Sequence, residues 1–337
     1  MKHKHIIICF LPILALLAVC NLLWGSLAIP PLEVMQILLG NSNALHPSWE
    51  FIIWESRVPQ MFTAMLCGAA LGTCGLMLQT LFRNPLAGPS ILGIDAGANL
   101  GVALVMLSLG GVMTLGSLNL GGYLLVTLAA MLGACCALVL LLFLSHRLKN
   151  QVMLLITGVV IGYVTSSVIS ILNYNATEEG VHNYIIWGMG NFSSISLDRL
   201  PVFASLVGIG LLGAAMLTKS LNALLLGDQY ATNLGVNIKH TRNSLLLCTG
   251  LLTATTTAFC GPVSFLGLAV PHIARLVLKT SNHNTLIPGT MLMGACMTLL
   301  CNLICNMPSN GTIIPINVIT PLLGAPIILY VILKKDD

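Results

Sequence analysis

Ten apolar stretches, most of them close to the roughly 20 residues that a membrane-spanning helix needs, follow one another along this chain. They cover residues 6–27, 58–82, 93–109, 120–144, 152–172, 200–218, 243–260, 266–280, 287–305 and 316–333, and short breaks of Gly, Pro, Asn or charge separate them. A transmembrane β-barrel would alternate apolar and polar positions over strands of about ten residues, and these runs do not alternate. The pattern predicts an all-α integral membrane protein with about ten transmembrane helices, forming one transmembrane domain over residues 1–337. The start, Met1 to His5 followed by an apolar run, resembles a signal peptide. The run is too long and lacks a clear small-residue cleavage site, so an uncleaved first span is expected.

Composition removes the soluble alternatives. Of 337 residues, 56% are hydrophobic and only 7% are charged, against about 25% charged in a soluble domain. The few charges predict sidedness. With the N-terminus inside, twelve of the fourteen Lys and Arg residues fall on one side, and only Arg57 and Arg199 fall on the other. Cations collect on the cytoplasmic face of membrane proteins, so both termini are expected in the cytoplasm. The eleven cysteines read as small hydrophobes. Cys301 and Cys305, four apart, lack His or carboxylate neighbours, so no metal site is expected.

One internal echo stands out. Gly88-Pro89-Ser90-Ile91-Leu92-Gly93 returns, with one insertion, as Gly261-Pro262-Val263-Ser264-Phe265-Leu266-Gly267. The copies lie five spans apart and on opposite predicted sides, as in an inverted-repeat transporter; chance in a Gly-rich chain is the other reading. Glycines at four-residue steps (Gly68 and Gly72; Gly93, Gly97 and Gly101) suit close helix packing. On the fifth span the stripe Gly158, Gly162, Ser166, Ser170 and Asn173 becomes more polar toward one end. That face either lines a pathway for a bulky solute or forms a packing seam.

Catalytic constellations are missing. No phosphate-binding GxxxxGK[ST] loop occurs, no HExxH and no GxSxG, and no carboxylate pair sits mid-span. This disfavours an intramembrane enzyme, and it disfavours a proton-coupled secondary transporter, which usually keeps an ionisable group inside the membrane. Energy is expected from a partner. The segment 219–239 is apolar, too short to cross, and broken at Gly227; it predicts short amphipathic helices that need a partner's groove.

Several motifs carry a resemblance. Arg57-Val58-Pro59, the run from Gly68 to Gly75, Arg83-Asn84-Pro85-Leu86-Ala87-Gly88-Pro89, Leu226-Gly227-Asp228, Leu234-Gly235-Val236, Phe265-Leu266-Gly267-Leu268, Pro271-His272, Arg275 and Leu323-Gly324-Ala325-Pro326 resemble, in this order, the permease family of ABC importers for cobalamin, iron-siderophore and haem. The resemblance implies a type II ABC importer permease fold in a bacterial inner membrane. It implies a homodimer with the pathway on its two-fold axis, an external solute-binding protein, and two ATPase subunits that hold ATP and Mg, with no cofactor in this chain. Transport of an iron-siderophore or haem by alternating access is the leading expectation, with cobalamin as the alternative.

The resemblance also assigns roles. Leu221, Asn222, Leu226, Gly227, Asp228, Ala231, Leu234 and Gly235 become the ATPase-coupling element. Asn84, Pro85, Gly267, Pro271, His272 and Arg275 become scaffold. Arg57 becomes a charge for docking the binding protein. Two further arginines and an acidic residue expected in such proteins are replaced by Gln60, Asn306 and Asn302, which leaves Arg57 alone in that role.

Overall fold

A computed structural model describes residues 2–40, 47–108, 112–115, 118–148, 151–307 and 313–335. Helix α1 (Lys2–Leu23) is followed by the short α2 (Pro31–Leu38). Helix α3 (Pro47–Ile52) runs through a π-helical turn, Ile53–Arg57, into α4 (Val58–Leu81). A 3-10 turn, Pro89–Leu92, leads into α5 (Ile94–Ala103), which a second π-helical turn extends to Ser108. An antiparallel hairpin of β1 (Val112–Leu115) and β2 (Leu118–Gly121), with Val112 opposite Gly121, precedes α6 (Tyr123–Arg147) and α7 (Gln151–Asn175). Then come α8 (Glu178–Gly188), α9 (Leu200–Met216), α10 (Thr218–Leu225), α11 (Asp228–Asn233) and α12 (Ile238–Cys260). Helices α13 (Leu266–Leu278), α14 (His283–Cys305) and α15 (Ile316–Lys335) close the chain.

Each of the ten apolar stretches is mostly helical among the described residues, although 120–144 begins in β2. Among the described residues six are long and apolar enough to cross a membrane: α1, the continuous rod Ser48–Leu81, α6, α7, α12 and α14. Helix α9 joins α10 across a 49° bend, and α5, α13 and α15 are shorter apolar helices. Four elements were not expected. Helices α2, α3 and α8 and the β-hairpin are each too short or too polar to register in a 20-residue apolar window.

Helix α4 is the axis of the packing. It contacts α14, α13, α12 and α9 along its length, and two of its glycines make this possible. A Cβ on Gly68 would lie 2.2 Å from the Gly294 carbonyl oxygen, and a Cβ on Gly294 would lie 2.2 Å from that of Gly68, so α4 and α14 cross backbone to backbone. A Cβ on Gly75 would lie 1.6 Å from the Gly267 carbonyl oxygen. A second crossing joins α5 to α6, where Gly97 and Gly133 face each other in the same way. Only residues without a side chain allow helices this close.

The two copies of the Gly-Pro echo start helices alike and touch. Gly93 (φ 75°) caps α5 and Phe265 (φ 64°) caps α13, both in the left-handed region. A Cβ on Gly267 would lie 2.4 Å from the Pro89 ring, and one on Gly88 would lie 3.1 Å from Leu268. With 13 residues, α13 spans about 20 Å, less than the roughly 30 Å of a bilayer's hydrocarbon. It starts within the bundle, so the second copy dips inward from the end of α12 to meet the first.

Candidate functional site

The segment 219–239 folds as the α10–α11 pair. Gly227 holds φ +108° and ψ 154° between them, a conformation that L side chains rarely adopt, although nothing crowds its Cβ position. Each helix splits into a buried and an exposed face. Leu221, Leu224 and Ala231 are buried, whereas Leu226, Tyr230 and Leu234 are 61–67% exposed. Gly235 (φ +84°) turns the chain toward α12.

Polar bonds tie this pair to the bundle at two places. Asp228 receives the Arg83 guanidinium from the end of α4 and the Gln151 side-chain amide, at 3.2 Å, from the first residue of α7. Asn222 accepts at Oδ1 from the His283 backbone N–H at 2.8 Å and donates to the Asn282 side chain at 3.1 Å, which fixes α10 to the first turn of α14. The turn after α4 is built locally. Asn84 Oδ1 accepts from the Leu86 N–H at 2.9 Å, His272 Nε2 lies 2.9 Å from the Pro85 carbonyl, and Arg275 donates to Gln79. Pro271 lies buried one residue earlier in α13. The scaffold residues therefore fasten α13 to α4 next to the α10–α11 pair.

At the opposite end the expectation for Arg57 is corrected. Its residue is 4% exposed, and the guanidinium donates to the carbonyls of Leu22 (2.8 Å), Leu23 (3.0 Å) and Leu27 (2.5 Å). These include the unpaired carbonyls at the end of α1, which need a donor. The side chain is spent on an internal helix end and offers no docking charge. Gln60, Asn302 and Asn306 are internal as well. Gln60 donates to Asn302 at 3.0 Å, Asn302 donates to Asn21 at 2.7 Å, Asn21 donates to the Leu299 carbonyl at 3.0 Å, and Asn306 donates back to the Asn302 carbonyl at 3.0 Å. The chain of amides joins α1, α4 and α14 and satisfies itself, as buried polar groups must.

The α7 stripe divides. Gly158 is buried, and a Cβ there would meet the Ile91 carbonyl oxygen at 2.4 Å, so this position is a packing seam. Gly162 has nothing within 4 Å, Ser166 and Ser170 are exposed, and Asn173 is half-buried with a buried Oδ1 that has no hydrogen-bond partner. Ser170 bonds back to the Ser166 carbonyl at 2.9 Å. Near the far end of α7, α8 borders a cavity of about 530 Å³ lined by Met106, Tyr123, Glu179, Asn183, Trp187 and Phe259. A smaller cavity of about 250 Å³, which Gln60 and Asn302 line, shares Ile186 and Asn191 with it.

The profile of the FecCD transport family matches residues 13–334. The chain belongs to the FecCD transport family. The FecCD chain is 33% identical over 286 residues to the vitamin B12 import system permease protein BtuC of Salmonella paratyphi A, covering 85% of each chain. It is 32% identical over 289 residues to BtuC of Photorhabdus laumondii, covering 86% of this chain and 83% of the other. Among solved structures it matches an inward-facing conformation of a protein described as a metal-chelate type ABC transporter. The TM-score there is 0.84 at 27% identity, covering 98% of this chain and 99% of that one. A second structure, PsaBC from Streptococcus pneumoniae in complex with Fab, shares the fold at a TM-score of 0.53 and 15% identity, over 82% and 90% of the two chains. The fold is therefore that of a type II ABC importer permease, a multi-pass transport component.

Two residues of this FecCD permease were not anticipated. Asp95, which reads as a span-end carboxylate, accepts from the Thr257 hydroxyl at 2.6 Å between α5 and α12. His283 reads as a loop residue and is 1% exposed at the start of α14. A polar residue within about four positions of a span boundary looks like loop in a hydropathy profile, so neither carried a signal.

Proposed function

We propose that this chain is the membrane-spanning subunit of an ATP-driven importer for a bulky metal chelate, an iron-siderophore or haem. The observation that carries the reading is the α10–α11 pair: Leu226, Tyr230 and Leu234 stand exposed on it while Asp228 is bonded to both α4 and α7. An exposed apolar face of this kind fits a groove on a partner, and the partner is a separate ATPase subunit that holds ATP and Mg. Nucleotide binding draws the ATPases together, the α10–α11 pair moves with them, and the bonds of Asp228 carry the displacement to α7.

The rest of the assembly follows from the same faces. Arg83 pairs with Asp228 of the α10–α11 pair, Lys219 and Lys239 bound the 219–239 segment, and Arg147, Arg242, Arg275 and Lys279 fall on the same predicted side, which supports a cytoplasmic location for it and for both termini. Helix α7 leaves most of its surface unburied, which supports a second copy of the chain against it, with Gly162, Ser166, Ser170 and Asn173 along the shared pathway. The α8 end then faces the external binding protein, whose docking does not use Arg57.

A second reading, cobalamin import, is favoured by the vitamin B12 permeases among the relatives. Reconstitution with the ATPase and binding protein in liposomes tests both, with haem, a ferric hydroxamate siderophore and cyanocobalamin supplied in turn. Uptake that requires internal ATP and survives a proton uncoupler is the expected result. Uptake without the ATPase that an uncoupler abolishes would overturn the proposal in favour of a proton-coupled carrier.

A further inference from the structure

His283 is held by both ring nitrogens. Its Nδ1 lies 2.9 Å from Asn222 Oδ1 on α10, and its Nε2 lies 2.9 Å from Thr80 Oγ1 on α4. The backbone N–H of His283 can only donate, and it points to the same Asn222 atom at 2.8 Å. That atom is therefore the amide oxygen, and Nδ1 must carry a hydrogen to bond it. In the neutral ring Nε2 is then the acceptor, and the single Thr80 hydroxyl hydrogen is shared between Nε2 and the Leu76 carbonyl, each 2.9 Å away.

The consequence is a strut across three elements. Helix α10 is amphipathic and presents an open face, whereas Thr80 sits in the last turn of α4, a helix buried over nearly its whole length. A planar ring bonded at both edges cannot lengthen, so a displacement of Asn222 reaches Thr80 with little loss. The other link, Arg83 to Asp228, joins side chains that are 49% and 41% exposed, and an exposed ion pair is weak.

We propose that His283 is a positioning residue for energy coupling: its imidazole transmits movement of α10 to the core helix α4. This rests on the reading of α10–α11 as the ATPase contact. The test uses the complete complex with its ATPase, with a spin label carried by a genetically encoded amino acid at the exposed position Ser170 in each copy. The label-to-label distance is measured with and without trapping by Mg-ATP and vanadate.

The wild-type distance should shift on trapping. His283→Ala and Thr80→Val should each keep ATP hydrolysis within about twofold of wild type while losing most of that shift, and the double variant His283→Ala/Thr80→Val should lose no more than either single one. A full shift in Thr80→Val, which keeps the volume and removes only the hydroxyl, would overturn the proposal even if the His283 variants fail to fold. The underlying reading has its own failure: if Leu226→Asp with Tyr230→Asp leaves ATPase association intact, α10–α11 is not the contact.

Discussion

Helices α4 and α7 start from similar material and end in opposite environments. Over 18-residue stretches the rod containing α4 reaches a mean hydropathy of 1.8 and α7 reaches 2.2, and each carries glycines at a four-residue step, Gly68 and Gly72 in one and Gly158 and Gly162 in the other. Yet 21 of the 24 residues of α4 are buried and only three of the 25 of α7. Glycine spacing permits close approach, and whether anything approaches depends on the partner. On α4 the carbonyls of Gly294 and Gly267 occupy the places that side chains would take, whereas on α7 only Gly158 meets a neighbour. The empty part of the α7 stripe is what the proposed assembly would use.

The sharpest test of this contrast places a charge in the occupied helix. Gln60→Arg puts a guanidinium beside Asn302 with no counter-charge, and a buried unpaired charge costs about 3–5 kcal/mol. Thermal unfolding in detergent should show that loss, and adding Asn302→Asp should recover at least half of it. If the single variant is as stable as wild type, the cavity of about 250 Å³ beside Gln60 and Asn302 solvates the charge, and the amide chain is not sealed from water.

A smaller change at Gly75 should also be severe. Gly75→Ala forces a methyl onto the Gly267 carbonyl and should cost about 3 kcal/mol, whereas Gly162→Ala on α7 should stay within about 0.5 kcal/mol. Equal effects at the two positions would break the comparison. Arg57→Met removes the donor that satisfies the end of α1 and should cost about 2 kcal/mol, read by the same unfolding assay. The same substitution should leave the affinity for the binding protein unchanged.

The mildest change in stability falls on the link between the two helices. Asp228→Ala removes the exposed pair with Arg83 and the acceptor of Gln151, and should lower stability by less than about 1 kcal/mol. Uptake in liposomes should nevertheless fall at least tenfold, because α7 loses its connection to the α10–α11 pair. Wild-type uptake in this variant would separate α7 from the coupling path.

The spans were legible because each one is continuous in sequence and buries or exposes itself as a unit. The break at Gly227 was legible for a local reason, since an apolar segment interrupted by glycine in a loop has few ways to fold. What the chain did not reveal were bonds made across it. Arg57 reads as a surface charge because the carbonyls of Leu22, Leu23 and Leu27 lie some thirty residues away, and Gln60 and Asn302 read as lost charges because their mutual bond spans 242 positions. His283 was hidden twice over, once by its place beside a span boundary and once by partners on two other helices.

The contact between Pro89 and Gly267 has a mechanical side. Each belongs to one copy of the repeated motif, and the two copies start α5 and α13. Because Gly267 has no side chain to yield, any closer approach of these two helix starts drives the Pro89 ring into backbone, so the contact acts as a hard stop.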